Sequence, residues 1–241
     1  MPFSEEIAGH YDGIYQLLSR KYRLEKLELE IAGEPYRVYA VDNLEEILDE
    51  LAARPNDDPD VRDERLPYWA EVWPSALALA GHIAENNAVS ENQTVLEIGC
   101  GLGIPGMVAA KYTEMVLMTD YMEDALFFTQ LNCMTNLGRV PHCKLMDWRQ
   151  LEDLEPFDII LASDVVYEKR YFWPLIELFK TLLRPDGKIL LAEPNRSVAQ
   201  EFFEVLEGEA FNWQKESREV FFREKKTGVS IYTISKKVNN S

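Results

Sequence analysis

Hydrophobic and polar positions divide this chain into short segments that switch between helical and strand periods. Tyr11, Ile14, Tyr15 and Leu18 recur at helical spacing, so a helix is expected over 11–22. Leu24–Ile31 alternates as a half-buried strand, Ala32-Gly33-Glu34 offers a turn, and Tyr36–Val41 returns as its hairpin partner. Asp42-Asn43 is placed to cap a helix from Leu44 to Ala53, with Glu45 and Glu46 suited to its N-terminal dipole. The polar, proline-bearing loop 54–60 ends that helix. It marks the expected boundary between an N-terminal extension, residues 1–66, and a main domain, 67–241. Beyond it, apolar strands alternate with helices. Pro74 opens a helix that packs through Leu77, Ala80, Gly81 and Ile83. The segments 94–98, 115–120, 143–146, 157–162 and 189–192 read as strands, and 107–112, 125–137, 171–183 and 197–206 as helices, with Gly138 closing the second of these. Phe211–Phe222 and Val229–Ser235, separated by 225–228, read as a closing antiparallel hairpin. Such alternation predicts an α/β sheet with helices on both faces.

The stretch that organises this pattern is Thr94–Gly106. A β-branched run ends at Ile98, glycines follow at Gly99, Gly101 and Gly103, and an apolar helix comes next. Strand, glycine-rich turn and helix let a nucleotide-like ligand approach the backbone at the carboxyl end of a strand. Gly101, Gly103 and Gly106 also fit the dinucleotide fingerprint, which implies a pyrophosphate on the helix N-terminus. Glu97, two residues before Gly99, opposes that reading. A carboxylate there repels a pyrophosphate and suits a ligand with an ammonium group, such as S-adenosylmethionine (SAM). Asp120 ends the second strand about 20 residues beyond the glycines, where a carboxylate accepts both ribose hydroxyl protons. Tyr121 or Met122 follows as an adenine contact.

Glu97-Ile-Gly99-Cys-Gly101-Leu-Gly103 resembles the E/D-x-G-x-G-x-G signature of seven-strand SAM-dependent methyltransferases. The resemblance covers about Leu66–Lys237, with several motifs in the expected order. It implies a Rossmann-like, mostly parallel seven-stranded sheet closed by the C-terminal hairpin. Trp73-Pro-Ser-Ala resembles the tryptophan-containing segment of a group rich in protein-lysine methyltransferases, in which the matching tryptophan lies against SAM. Trp69 is the weaker candidate of the pair. Asp147 matches the superfamily position that accepts a hydrogen bond from the adenine amino group, with Trp148 packed nearby. Asp164-Val-Val-Tyr167 resembles the D-x-x-Y motif of the lysine-directed group, which implies that Asp164 and Tyr167 orient the acceptor nitrogen. Ser163, just before them, joins the expected cofactor contacts. Glu193-Pro-Asn-Arg196 resembles an acidic-Pro-x-Arg segment near the acceptor, although Glu193 and Arg196 also suit a simple mutual pair. Neither Asn/Asp-Pro-Pro-Tyr nor a Pro-Cys nucleophile occurs.

Composition narrows the partners. A formal net charge of −17 over 241 residues disfavours phosphate-backbone binding and favours a protein, with basic surfaces attracted most, or a small molecule as acceptor. The three cysteines lack metal or disulfide spacing, so no metal site is expected and the thiols are read as reduced. No apolar run nears the roughly 20 residues of a membrane span, and the first residues lack a secretory pattern. The expected protein is a cytoplasmic, monomeric N-methyltransferase that uses SAM, releases S-adenosyl-L-homocysteine (SAH) and acts on a protein lysine. The alternatives are a small-molecule N-methyltransferase, a SAM-binding scaffold without turnover, and a NAD-dependent oxidoreductase.

Overall fold

The computed structural model describes residues 3–55, 57, 58, 61, 66–151 and 153–237. Helix α1, Glu5–Lys21, starts earlier than the periodicity suggested because the Ser4 hydroxyl accepts the Ile7 N–H and Glu5 and Glu6 fill the first turn. Strands β1, Leu24–Ile31, and β2, Glu34–Val41, pair across the two-residue turn Ala32-Gly33, both residues at positive φ. Helix α2, Leu44–Ala52, begins after Asn43, whose side chain does not cap it. Its carbonyl oxygen accepts the Arg23 N–H instead. Much of the expected boundary loop lies outside the described residues.

The main sheet has the order β5-β4-β3-β6-β7-β9-β8. Its strands are β3 Val95–Ile98, β4 Val116–Asp120, β5 His142–Leu145, β6 Phe157–Ser163, β7 Leu183–Glu193, β8 Phe211–Phe222 and β9 Lys225–Lys236. β5, β4, β3, β6 and β7 run parallel, and β9 is antiparallel to both β7 and β8. This is the Rossmann-like seven-stranded sheet, closed by an antiparallel hairpin, that the motifs implied. Side-chain alternation divides the core into two layers. Val95, Ile159, Leu161, Leu190 and Ala192 face one side, with α3 Pro74–Glu85, α4 Ile104–Ala109, α5 Glu123–Leu137 and the N-terminal hairpin. Leu96, Ile98, Ile160, Ala162, Ile189 and Leu191 face the other, with α6 Phe172–Leu182 and α7 Ser197–Gly208.

Two boundaries differ from expectation. α4 starts at Ile104, three residues before the apolar run, because Pro105 lacks an N–H and so fits a first helical turn. The β8–β9 turn is Arg223-Glu224, both at positive φ, and residues 225–228 belong to β9. Arg223 is held there by Glu25 of β1 and by Glu71.

The N-terminal hairpin is tied to the glycine turn by one side chain. Asn132, fully buried on α5, accepts the Tyr39 N–H at 2.7 Å and donates to the Tyr39 carbonyl at 3.2 Å and the Leu102 carbonyl at 3.0 Å. Thr129, one turn earlier, donates to the Gly101 carbonyl at 2.9 Å.

Candidate active site

The carboxyl ends of β3, β4, β6 and β7 meet at one edge of the sheet around the switch in strand order, where doubly wound folds bind ligands. A cavity of about 590 Å³ lies there. Gly99 and Gly101 line it from the turn after β3, Asp120 and Tyr121 from the end of β4, and Trp148 from beyond β5. Ser163, Asp164 and Tyr167 line it after β6, while Trp69 and Trp73 close it from before α3. Eleven of the residues singled out in the sequence are therefore brought together: Trp69, Trp73, Gly99, Gly101, Asp120, Tyr121, Trp148, Ser163, Asp164, Tyr167 and Arg196.

Asp120 is built into this wall. Its carboxylate accepts the Gly101 N–H at 3.0 Å and the Met122 N–H at 2.9 Å. Burial pushes its pKa up to about 6, against the pull of those backbone bonds. Gly101 has φ +52°, and a Cβ there would lie 3.3 Å from the Trp69 carbonyl oxygen, so backbone packs against backbone. Trp69 is in turn buried against Tyr22 and Phe128, with ring centroids 5.6 Å away in each case. The Trp73 indole donates to the Tyr68 carbonyl at 2.6 Å.

Glu97, Gly103 and Asp147 do not line this cavity. The strand period puts Glu97 on the same face as Val95, beneath α4, where its Oε2 accepts the Gly106 N–H at 3.1 Å. Burial raises its pKa well above the ordinary carboxylate range. Through Oε2 Glu97 braces strand against helix, and only glycine at 106 leaves it room, while its Oε1 is buried without a hydrogen-bond partner among the described residues. Gly103 precedes α4 against Thr129. Asp147 pairs with Arg149 at 2.6 Å, in a hollow that Tyr121 and Trp148 also line.

The other half of the cavity is centred on Asp164. This residue has φ +61°, a conformation that costs an L-residue about 1–2 kcal/mol. One of its oxygens pairs with Arg196, which also meets Glu193 at 3.4 Å. The other oxygen, Oδ2, is buried with no hydrogen-bond partner among the described residues. A strained backbone and an unpaired carboxylate oxygen therefore coincide on one cavity-lining residue. Tyr167 lies edge-on between Tyr68 and Tyr171, at 6.0 and 5.2 Å, and burial raises its pKa, so its hydroxyl stays protonated. Tyr68, Glu71 and Glu168 line the cavity without having been picked out in the sequence, and Arg196 pairs with Asp164 as well as with Glu193. The available signal was position: Arg196 follows the end of β7 as Asp164 follows the end of β6.

A family model described as lysine methyltransferase matches residues 64–209, more than half of the chain. This chain belongs to the lysine methyltransferase family. A relative named EEF1A lysine methyltransferase 3, from Mus musculus, is 32% identical over 175 residues, 70% of this chain and 72% of that protein. A histidine protein methyltransferase 1 homolog from Dictyostelium discoideum is 33% identical over 128 residues, 51% of this chain and 41% of that protein. The chain thus spans well under two thirds of the slime-mould relative. Among solved structures, ribosomal protein L11 methylase from Lactobacillus delbrueckii aligns with a TM-score of 0.52 at 21% identity, covering 68% of this chain and 78% of that one. That likeness speaks for the fold alone. Family members differ in the nitrogen they are named for, so the acceptor of this one is argued from its own site.

Proposed function

We propose that this protein is a SAM-dependent N-methyltransferase that methylates a lysine side chain of a protein. The observation that carries the proposal is Asp164, a carboxylate at positive φ with one unpaired oxygen, lining the same cavity as Gly101 and Asp120. The residues fit SAM. Asp120 retains lone pairs for two ribose hydroxyls, Gly99 and Gly101 leave the turn backbone open to the cofactor, and Trp73 and Trp148 supply apolar walls. When bound, SAM supplies an electrophilic methyl group and leaves as SAH.

The Asp164 carboxylate then accepts a hydrogen bond from the acceptor nitrogen and fixes its direction. A carboxylate favours the protonated amine, so Asp164 acts as a positioner, and the ammonium proton departs to solvent before attack. The protonated Tyr167 and its neighbour Tyr68 provide an aromatic wall for the lysine stem that keeps water away. Alignment of nucleophile and methyl group supplies most of the acceleration. The net charge of −17 favours a basic partner over nucleic acid. The free thiols Cys100, Cys133 and Cys143 suit the reducing cytoplasm, where we place the protein.

Transfer of radiolabelled methyl from SAM into a cell extract tests the proposal. A discrete labelled protein that yields methyl-lysine on amino-acid analysis is expected. Methyl-histidine would move the acceptor to an imidazole, label confined to small molecules would remove the protein substrate, and absence of SAM binding would overturn the reading.

The cofactor half predicts a pH dependence. Ionised Asp120 is the form that accepts two hydroxyl protons, so SAH affinity should fall as pH drops through about 6. The apo protein should show the opposite trend from this group. A carboxyl whose native pKa is raised contributes stability below its unfolded value of about 4, and loses it as pH rises through about 6. Calorimetry with SAH across pH 5–8 checks both, since Asp120→Asn should bind more weakly with a flat profile. An unchanged profile in that variant would remove Asp120 from the site.

A further inference from the structure

Arg196 lines two cavities. Beyond the one described lies a second, of about 420 Å³, between α7 and the β8–β9 hairpin. Its helical wall is one stripe of α7, in which Phe203, Glu204 and Glu207 follow at spacings of one and three residues. Its strand wall is aromatic. The Tyr232 ring stacks on Phe203 at 3.7 Å and 19°, and Trp213 stands against both at 5.3 and 5.5 Å.

This wall already holds a cation. The Lys215 ammonium lies 5.5 Å over the Tyr232 ring and donates to the Asn195 side chain at 3.3 Å, a neutral partner. The charges in the cavity do not cancel. Arg196 is neutralised by Glu193 and Asp164, which leaves two carboxylates, Glu204 and Glu207, against one further cation, Lys215, in the lining. Phe203 and Lys215 cover the two faces of Tyr232, which leaves the half-buried Trp213 ring, beside an excess of carboxylates, to take the stem of a long cationic side chain whose head meets the helix.

We propose that this second cavity is a substrate subsite for a lysine or arginine that flanks the acceptor on the same polypeptide. The proposal rests on the protein-methyltransferase reading of the first cavity. Arg196 forms a wall of both, so the two cavities are neighbours and a residue flanking the acceptor is the one placed to meet the second.

The test titrates the ¹⁵N-labelled protein with Nα-acetyl-L-arginine amide and with its neutral citrulline counterpart, at millimolar concentrations. The Trp213 indole signal is the readout, assigned with Trp213→Phe. It should move with the arginine probe only, and the double variant Glu204→Gln/Glu207→Gln should weaken the response about tenfold, the loss of one partly desolvated charge pair. No movement with the arginine probe, or equal movement with both probes, overturns the proposal. In the extract assay, Glu204→Lys/Glu207→Lys should keep SAH affinity and lose labelling of the protein band. Undiminished labelling overturns the subsite. If the wild type binds SAH but labels no protein while the arginine shift persists, the acceptor reading of the first cavity fails and the cation site stands.

Discussion

Replacing Asp164 by asparagine is expected to abolish methyl transfer while leaving SAH binding in place. Asparagine tolerates the left-handed backbone found at φ +61° and keeps the shape of the side chain, so the change isolates the charge. Two things follow from its loss. An amide presents no charged acceptor for the incoming nitrogen, and Arg196 keeps Glu193 as its one carboxylate partner of the two. Misdirecting a nucleophile by about 1 Å costs on the order of a hundredfold in rate, so a drop of at least that size in kcat/KM is expected. Steady-state rates beside SAH calorimetry measure the two effects separately. Activity within a few-fold of wild type would make Asp164 a structural residue whose unpaired oxygen has another cause.

A side chain at Gly101 should have the reverse effect, removing SAH binding itself. Beyond the cost of about 1–2 kcal/mol for an L-residue in this conformation, the Cβ of Gly101→Arg meets the Trp69 backbone, and the rest of the side chain occupies the cavity the residue lines. A shift of the turn to relieve that contact moves the N–H that Asp120 accepts at 3.0 Å. Gly138→Ala is the matching control. It sits at the end of α5 at φ +68° with nothing within 4 Å of its Cβ, so it suffers similar backbone strain far from the site. Calorimetry should show SAH binding lost in Gly101→Arg and retained in Gly138→Ala, with both melting lower than wild type. Native affinity in Gly101→Arg would place the cofactor elsewhere.

Much of this architecture was legible because local signals and global packing agreed. The central strands β3 and β6 are buried on both faces, glycines follow β3 and close α5, and Asp120 falls at the end of its strand. Disagreements arise where tertiary contacts decide. Lys225-Lys-Thr-Gly228 has turn composition, yet the chain reverses two residues earlier because Arg223 finds carboxylates on Glu25 and Glu71. Glu97 was legible as a motif residue but not as a brace, since only the strand's facing decides whether it looks toward the cavity or toward Gly106. The pairing of Arg196 with Asp164 needs β6 and β7 side by side, information that hydrophobic periodicity does not carry. Nothing local distinguishes Asn132 from any other asparagine in a helix. Its role exists only once α5, the hairpin and the glycine turn are packed together.

Asn132 has a consequence for how occupancy of the cavity is felt elsewhere. Its one amide holds the Tyr39 backbone at both its donor and its acceptor, and the Leu102 carbonyl beside the glycines. Local opening of the N-terminal hairpin removes the two Tyr39 bonds that fix the Asn132 amide, so the side chain that holds the Leu102 carbonyl is less firmly oriented and the two segments are coupled through it. By linkage, ligand that stabilises the turn suppresses fraying of the hairpin, and a frayed hairpin weakens the ligand. Residues 24–41 contribute no side chain to the cavity, yet they share its binding free energy.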